Sequence, residues 1–229
     1  KEKTAYHEAG HALVGLKMPK CDPVYKATII PRGGALGMVM SLPEIDKLQM
    51  FKDEAHQRIA MTMAGKAAEI FKYGADSVSS GPVGDIQQAS QLARSMVMRY
   101  GMSDKVGNID YAEAHEGYQG NTAGFSVSAQ TKETIESEVK RFIDEGYDTA
   151  YKIIAENEKE FELLAQGLLE YETLTGEEIK RVMRGEPPHE PDDEDNNPDQ
   201  GTAPSVTAIP KTKTKKNPPE GGMEPEPTA

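Results

Sequence analysis

Two histidines four residues apart, with a glutamate directly after the first, stand near the start of the chain in TAYHEAGHALVGL, residues 4–16. On a helix, residues i and i+4 share one face, with Cβ atoms about 5–6 Å apart. His7 and His11 can then offer ring nitrogens to one tetrahedral Zn²⁺ at ~2.0–2.1 Å. Glu8 sits one position round, beside the metal rather than on it. From there its carboxylate can take a proton from a metal-bound water as that water attacks a carbonyl. His-Glu-x-x-His on a helix is the pattern this hydrolytic chemistry needs. The bland alternative is a pair of partly buried histidines with no metal. The small Ala9 and Gly10 between the two favour the metal, since they permit close approach of backbone to its surroundings.

A catalytic zinc takes three protein ligands and leaves the fourth position open for water. A third histidine six residues after the second is excluded, because position 17 is Lys17, and no glutamate occurs between Glu8 and Glu44. The third ligand must come from farther along the chain, where His56, Glu69, Asp76 and Asp85 are candidates. His56 lies among charged residues at a helix start, and Asp76 in a polar loop. Asp85 follows SSGPVG and opens an amphipathic segment, DIQQASQLARSMVMRYG. It reads equally well as an N-cap completing a capping box with Gln88. On residue chemistry alone these alternatives stay open.

Helices must position these groups, and the periodicity is mostly helical. Residues 4–17 place Ala5, His7–Glu8, His11–Ala12 and Leu16 at helical spacing, with Thr4 available as a cap. VYKATII, PRGG and ALGMVMSL read as two short strands around a Gly-rich turn. Helices are predicted over 52–72, from near Asp85 to Gly101, and over 129–156 and 158–170, with an irregular stretch at 104–128. TLTGEEIKRVM closes the domain, Thr175 and Glu178 being spaced as a capping box. The expected fold is mainly α, of α+β type, with one small β-hairpin or sheet.

Composition sets the limits. The net charge of −12 argues against a general nucleic-acid binder, which needs a basic face. A single cysteine, Cys21, excludes an internal disulfide framework. No apolar run approaches the ~18 residues of a membrane helix. The chain opens on Lys1 rather than Met, as a fragment or processed product would. Residues 186–229 hold ten of the fifteen prolines and almost no large apolar side chains. They cannot bury enough surface to offset ordering entropy, so a domain at 1–185 followed by a disordered Pro-rich acidic and Lys tail at 186–229 is expected.

KTAYHEAGHALVG, DPVYKATIIPRGGALGMVMSLPE, RIAMTMAGKAAE, SSGPVGDIQQASQLARSMVMRYGMSDKVG and LLAQGLLEYETLTGEEI occur in this order. Together they resemble the peptidase domain of the FtsH family of membrane-anchored, ATP-dependent zinc metalloproteases, over roughly residues 1–185. The resemblance implies a zinc endopeptidase holding one Zn²⁺ per chain, with His7, His11 and Asp85 as metal ligands and Glu8 as general base. It implies that Glu69, in AGKAAE, orients a ligand histidine, the alternative being a solvated acidic residue on a helix face. Family members commonly have Gly-Gly-Arg where this chain has Ala64-Gly65-Lys66.

Family members form homo-hexameric rings, with an ATPase ring stacked on the protease ring and a transmembrane anchor before it, facing the cytoplasm beneath the bacterial inner membrane. ATP would be used only by an ATPase region absent from this chain, which has no Gly-x-x-x-x-Gly-Lys-Ser/Thr loop. Membrane contact would run through a segment also absent. The expected substrates are unfolded polypeptides, including membrane proteins. The alternation in Leu36, Gly37, Met38, Val39 and Met40 suggests a strand edge that takes an extended peptide by main-chain pairing. The rival reading is a non-catalytic oligomerisation module with a vestigial or structural zinc site. A structural site would be closed by a fourth ligand, for which Cys21 is the obvious soft donor.

Overall fold

Helix α1, Glu2–Lys17, is the innermost element, with Ala5, Ala9, Ala12, Leu13 and Val14 fully buried. Thr4 does not cap it. The helix already starts at Glu2 with Lys1 as its N-cap, which leaves Thr4 inside the first turn. The computed structural model describes residues 1–43, 49–111 and 127–189. The expected tail from 190 onward and most of the expected irregular stretch at 104–128 lie outside the described residues.

Strands β1, Val24–Thr28, and β2, Met38–Ser41, pair antiparallel, with Ala27 opposite Val39 and Thr28 opposite Met38. The turn between them places Gly33 and Gly34 at φ 57° and 97°, a region open to glycine at no steric cost. A third strand, β3 (Thr173–Thr175), returns from the far end of the domain to pair with the other side of β1, so the sheet order is β2-β1-β3. Sequence periodicity did not show β3: three residues are too few to display alternation, and their partner is distant in the chain. The hydroxyls of Thr28 and Thr173 hydrogen-bond across this pairing at 2.7 Å. Among the described residues strand β2 is therefore an edge, lying beside α1.

Helix α2, Lys52–Tyr73, crosses α1 where both are built from small residues. A Cβ on Gly10 would fall 2.6 Å from Ala68 Cβ and 2.7 Å from the Ala64 carbonyl oxygen, so backbone meets backbone at the crossing. A short 3₁₀ turn, Ala75–Ser77, and a polar loop lead into α3, Val83–Met98. Because α3 starts at Val83 with Pro82 as N-cap, Asp85 is the third helical residue and not the cap, and its side chain closes no capping box. Helix α4, Ala129–Glu156, is capped by the Ser128 side chain accepting from the Thr131 N–H, and α5 spans Glu158–Tyr171. Helix α6, Gly176–Met183, forms the expected Thr175–Glu178 capping box.

The apolar side chains divide into two clusters. One lies among α1, α2, the sheet, the C-terminal part of α4, α5 and α6, around Leu13, Phe161, Leu164 and Leu174. The other lies among α2, α3 and α4, around Ile59, Met96 and Phe142. The fold is mainly α with one small antiparallel sheet, and α1 is held from both sides. Among the described residues no helix is long and apolar enough to cross a membrane.

Candidate metal centre

His7 and His11 project from the same face of α1, and their Nε2 atoms stand 3.1 Å apart. Asp85, delivered by the first turn of α3, places Oδ2 3.2 Å from His7 Nε2 and 3.5 Å from His11 Nε2. The far nitrogen of each ring is engaged elsewhere. His7 Nδ1 lies 3.0 Å from Glu69 Oε1, and His11 Nδ1 lies 2.8 Å from the backbone carbonyl of Met61, both on α2. A carboxylate and a carbonyl only accept, so each Nδ1 carries a hydrogen, and Nε2 is the ring nitrogen turned inward toward Asp85. Asp85 Oδ2 is buried and, among the described residues, has no conventional hydrogen-bond donor beyond the two inward ring nitrogens.

Three ligand-type atoms thus converge on one small space, where either a shared proton or a cation between them holds them together. Two imidazole nitrogens and a carboxylate oxygen form a donor set suited to zinc, and each imidazole has the outer hydrogen bond that fixes a ligand's orientation. Space is reserved for it by Gly65 on α2: a Cβ there would fall 2.5 Å from both Nε2 atoms. Zinc fits the residues present.

The local field points the same way. Burial pushes the Asp85 carboxyl up, but the His11 and His7 imidazoles outweigh it and hold the group well below the usual carboxylate range. Burial pulls His11 down, yet Asp85 and Glu8 beside it carry its pKa above the ordinary value. Both shifts describe a site that draws in positive charge. Glu8 differs in kind. Only 5% exposed, it is pushed up chiefly by desolvation, partly countered by His11 and His7. A carboxylate with a raised pKa beside the donors has the character of a proton acceptor that can also give the proton back.

A cleft of about 1000 Å³ contains the donors in its lining, together with residues 34–39, 79–81 and 83–85. The chain entering β2 lies against Glu8, since a Cβ on Gly37 would fall 2.6 Å from Glu8 Oε1. Of the expected substrate segment, Leu36, Gly37, Met38 and Val39 line the cleft. Met38, Val39 and Met40 belong to β2, whereas Leu36 and Gly37 precede it.

The other sequence candidates do not join the three donors. His56 stacks edge-on against Phe142, with ring centroids 4.6 Å apart. Asp76 is exposed in the 3₁₀ turn. Glu69 is 2% exposed, which excludes the solvated alternative, and it faces the outer nitrogen of His7. Cys21 lines the same cleft, but among the described residues the metal-compatible group contains only His7, His11 and Asp85. Three contributors escaped sequence reasoning: the Met61 carbonyl, the opening at Gly65, and Ser79, which binds Glu69 through its N–H at 2.8 Å and its hydroxyl at 3.1 Å. A backbone carbonyl has no sequence signal, and Ser79 offered only its place in a polar loop.

Residues 1–182 match the model of peptidase family M41. The chain is 44% identical over 197 residues to the ATP-dependent zinc metalloprotease FtsH of Caulobacter vibrioides, covering 85% of this chain and 32% of that protein. It is 43% identical over 214 residues to the protein of the same name from Rickettsia bellii, covering 93% and 33%. It is 46% identical over 184 residues to the one from Neorickettsia risticii, covering 80% and 28%. The chain spans about a third of the length of these curated relatives. With its metal-compatible donors on α1 and α3 and a family match across nearly all its described residues, the chain belongs to peptidase family M41.

Proposed function

We propose that this chain is the zinc-dependent endopeptidase part of an ATP-dependent protease, with His7, His11 and Asp85 as ligands to one Zn²⁺ and Glu8 as general base. The observation that carries the reading is the convergence of His7 Nε2, His11 Nε2 and Asp85 Oδ2, with Glu8 buried beside them. When bound, zinc supplies Lewis acidity, polarising the scissile carbonyl and making water a nucleophile near neutral pH. Glu8 takes the proton of the attacking water on its carboxylate and returns it to the leaving amine. Its desolvated setting brings its pKa toward the range in which both transfers work. The Nδ1 hydrogen bonds to Glu69 and Met61 keep both imidazoles aimed throughout.

Substrate enters as an extended chain along the edge of β2. Gly37, just before the strand, lies against Glu8, and among the described residues β2 is paired only with β1, on its other side. Main-chain pairing supplies affinity with little sequence preference, which suits unfolded polypeptides. For the whole protein, the resemblance supports a homo-hexamer at the cytoplasmic face of the bacterial inner membrane. A separate ATPase region would unfold stable or membrane-embedded substrates there. The test is Glu8→Gln: zinc content is expected to stay at the wild-type level while casein hydrolysis falls ~10²–10⁴-fold. A Glu8→Gln protein with wild-type turnover contradicts the general-base assignment.

A further inference from the structure

We propose that Ser79 is a positioning residue that fastens the two halves of the metal centre together. The inference rests on the ligand set proposed above. His7 belongs to α1 and Asp85 to α3, two helices that are brought together by packing on α2. Glu69 on α2 bridges them. Its Oε1 accepts from His7 Nδ1 at 3.0 Å and from the Ser79 hydroxyl at 3.1 Å, while its Oε2 accepts from the Ser79 N–H at 2.8 Å. Ser79 is therefore the only residue among the described ones that meets both carboxylate oxygens. It stands six positions before Asp85 in the loop that starts α3, and its Oγ also accepts the Gly81 N–H at 3.0 Å, tightening the path toward Asp85.

Each contact performs a distinct task. The Ser79 N–H pins Oε2 and so stops the Glu69 carboxylate from rotating about its terminal bond. The hydroxyl shares Oε1 with His7 and holds that oxygen where the ring N–H can reach it. The Gly81 contact then carries the loop's position into the first turn of α3. Without Oγ, Glu69 keeps one backbone donor and one histidine, the loop loses its internal hydrogen bond, and the separation of His7 and Asp85 is free to vary. Outer hydrogen bonds of this kind change metal affinity by ~10–100-fold when removed.

Ser79 is half-buried in a loop, so its truncation leaves both apolar clusters intact. The experiment measures zinc affinity of the whole chain, by competition with a chromophoric chelator, for wild type, Ser79→Ala, Ser79→Thr and Asp85→Ala. Thermal midpoints are recorded in parallel on the metal-stripped proteins. The expected result is zinc affinity about tenfold weaker in Ser79→Ala and restored in Ser79→Thr, with stripped midpoints unchanged. Wild-type affinity in Ser79→Ala overturns the proposal. So does a weakened affinity that threonine does not rescue, or one accompanied by an equal loss of stability in the stripped protein, since either reduces Ser79 to a structural residue. If Asp85→Ala binds zinc as wild type does, the ligand set itself fails and this inference falls with it. If Asp85→Ala loses zinc while Ser79→Ala keeps it, the ligand set stands and only the role of Ser79 is refuted.

Discussion

Replacing Gly65 by alanine adds one methyl group to the middle of α2, where alanine is ordinarily the better helix former by ~1 kcal/mol. Here the methyl would sit 2.4 Å from His7 Cε1 and 2.5 Å from each of the two Nε2 atoms. Non-bonded carbon contacts are comfortable near ~3.5–4.0 Å, so the rings must give way by about 1 Å. Helix α1 cannot retreat as a body without opening its contact at Gly10, where α2 backbone already touches it. The rings cannot swing freely either, because both Nδ1 atoms are tied to α2 at 3.0 and 2.8 Å. Metal–ligand distances tolerate about ±0.2 Å, well short of the displacement required. Gly65→Ala should therefore weaken zinc binding at least ~100-fold, about 2.8 kcal/mol, while circular dichroism reports an intact helical fold. Gly84→Ala is the matched control, since its Cβ meets no atom within 4 Å, and it should bind zinc as wild type does. The assay is chelator competition on purified protein. A Gly65→Ala protein with zinc affinity within about threefold of wild type, or one that loses affinity only because it unfolds, would refute the packing argument.

Gly37→Ala acts on the base instead of the ligands. Its methyl would lie 2.6 Å from Glu8 Oε1 and 2.8 Å from Glu8 Cγ, so zinc content should hold while kcat falls about 100-fold, the usual cost of a 1 Å misplacement; unchanged kcat would show that Glu8 has room to move. Far from the cleft, Glu138 is fully buried and bound by Arg141, Ser103 and Lys105, which hold its pKa at about 2, with Arg141 the largest influence. A carboxyl depressed in the folded state stabilises fully above its unfolded value near 4.5 and loses that contribution as pH falls toward 2. Glu138→Gln should accordingly lower stability by about 2 kcal/mol at pH 7, with the gap to wild type closing between these two values in urea titrations. A gap independent of pH would remove the charge from the explanation.

Sequence periodicity was a good guide to long elements and a poor one to their ends. Helix α2 was expected over 52–72 and spans Lys52–Tyr73, because a long amphipathic segment carries many repeats of its signal. The Thr175–Glu178 capping box was readable because its two residues lie three apart and act locally. Neither Thr4, available as a cap, nor Asp85, for which a cap was the alternative to a ligand role, caps its helix, because helix starts depend on neighbours such as Lys1 and Pro82 as well as on the residue that looks suited to the task. Likewise, His7, Glu8 and His11 declare themselves through i, i+1, i+4 spacing on one helix. Asp85 does not, since nothing local brings α3 to α1; its proposed role rests on resemblance, and its approach depends on contacts across three helices. The supporting groups are quieter still. Gly65 matters for what it leaves out, and Met61 through a carbonyl that every residue possesses.

The most direct test of the three-ligand catalytic centre compares wild type with Asp85→Ala for zinc content and casein hydrolysis on the same preparations. The account predicts about one zinc per chain in the wild type, with cleavage, and the loss of both in Asp85→Ala. Retention of zinc and of wild-type cleavage by Asp85→Ala would contradict it, leaving the buried Oδ2 beside His7 and His11 as an accident of how α3 packs.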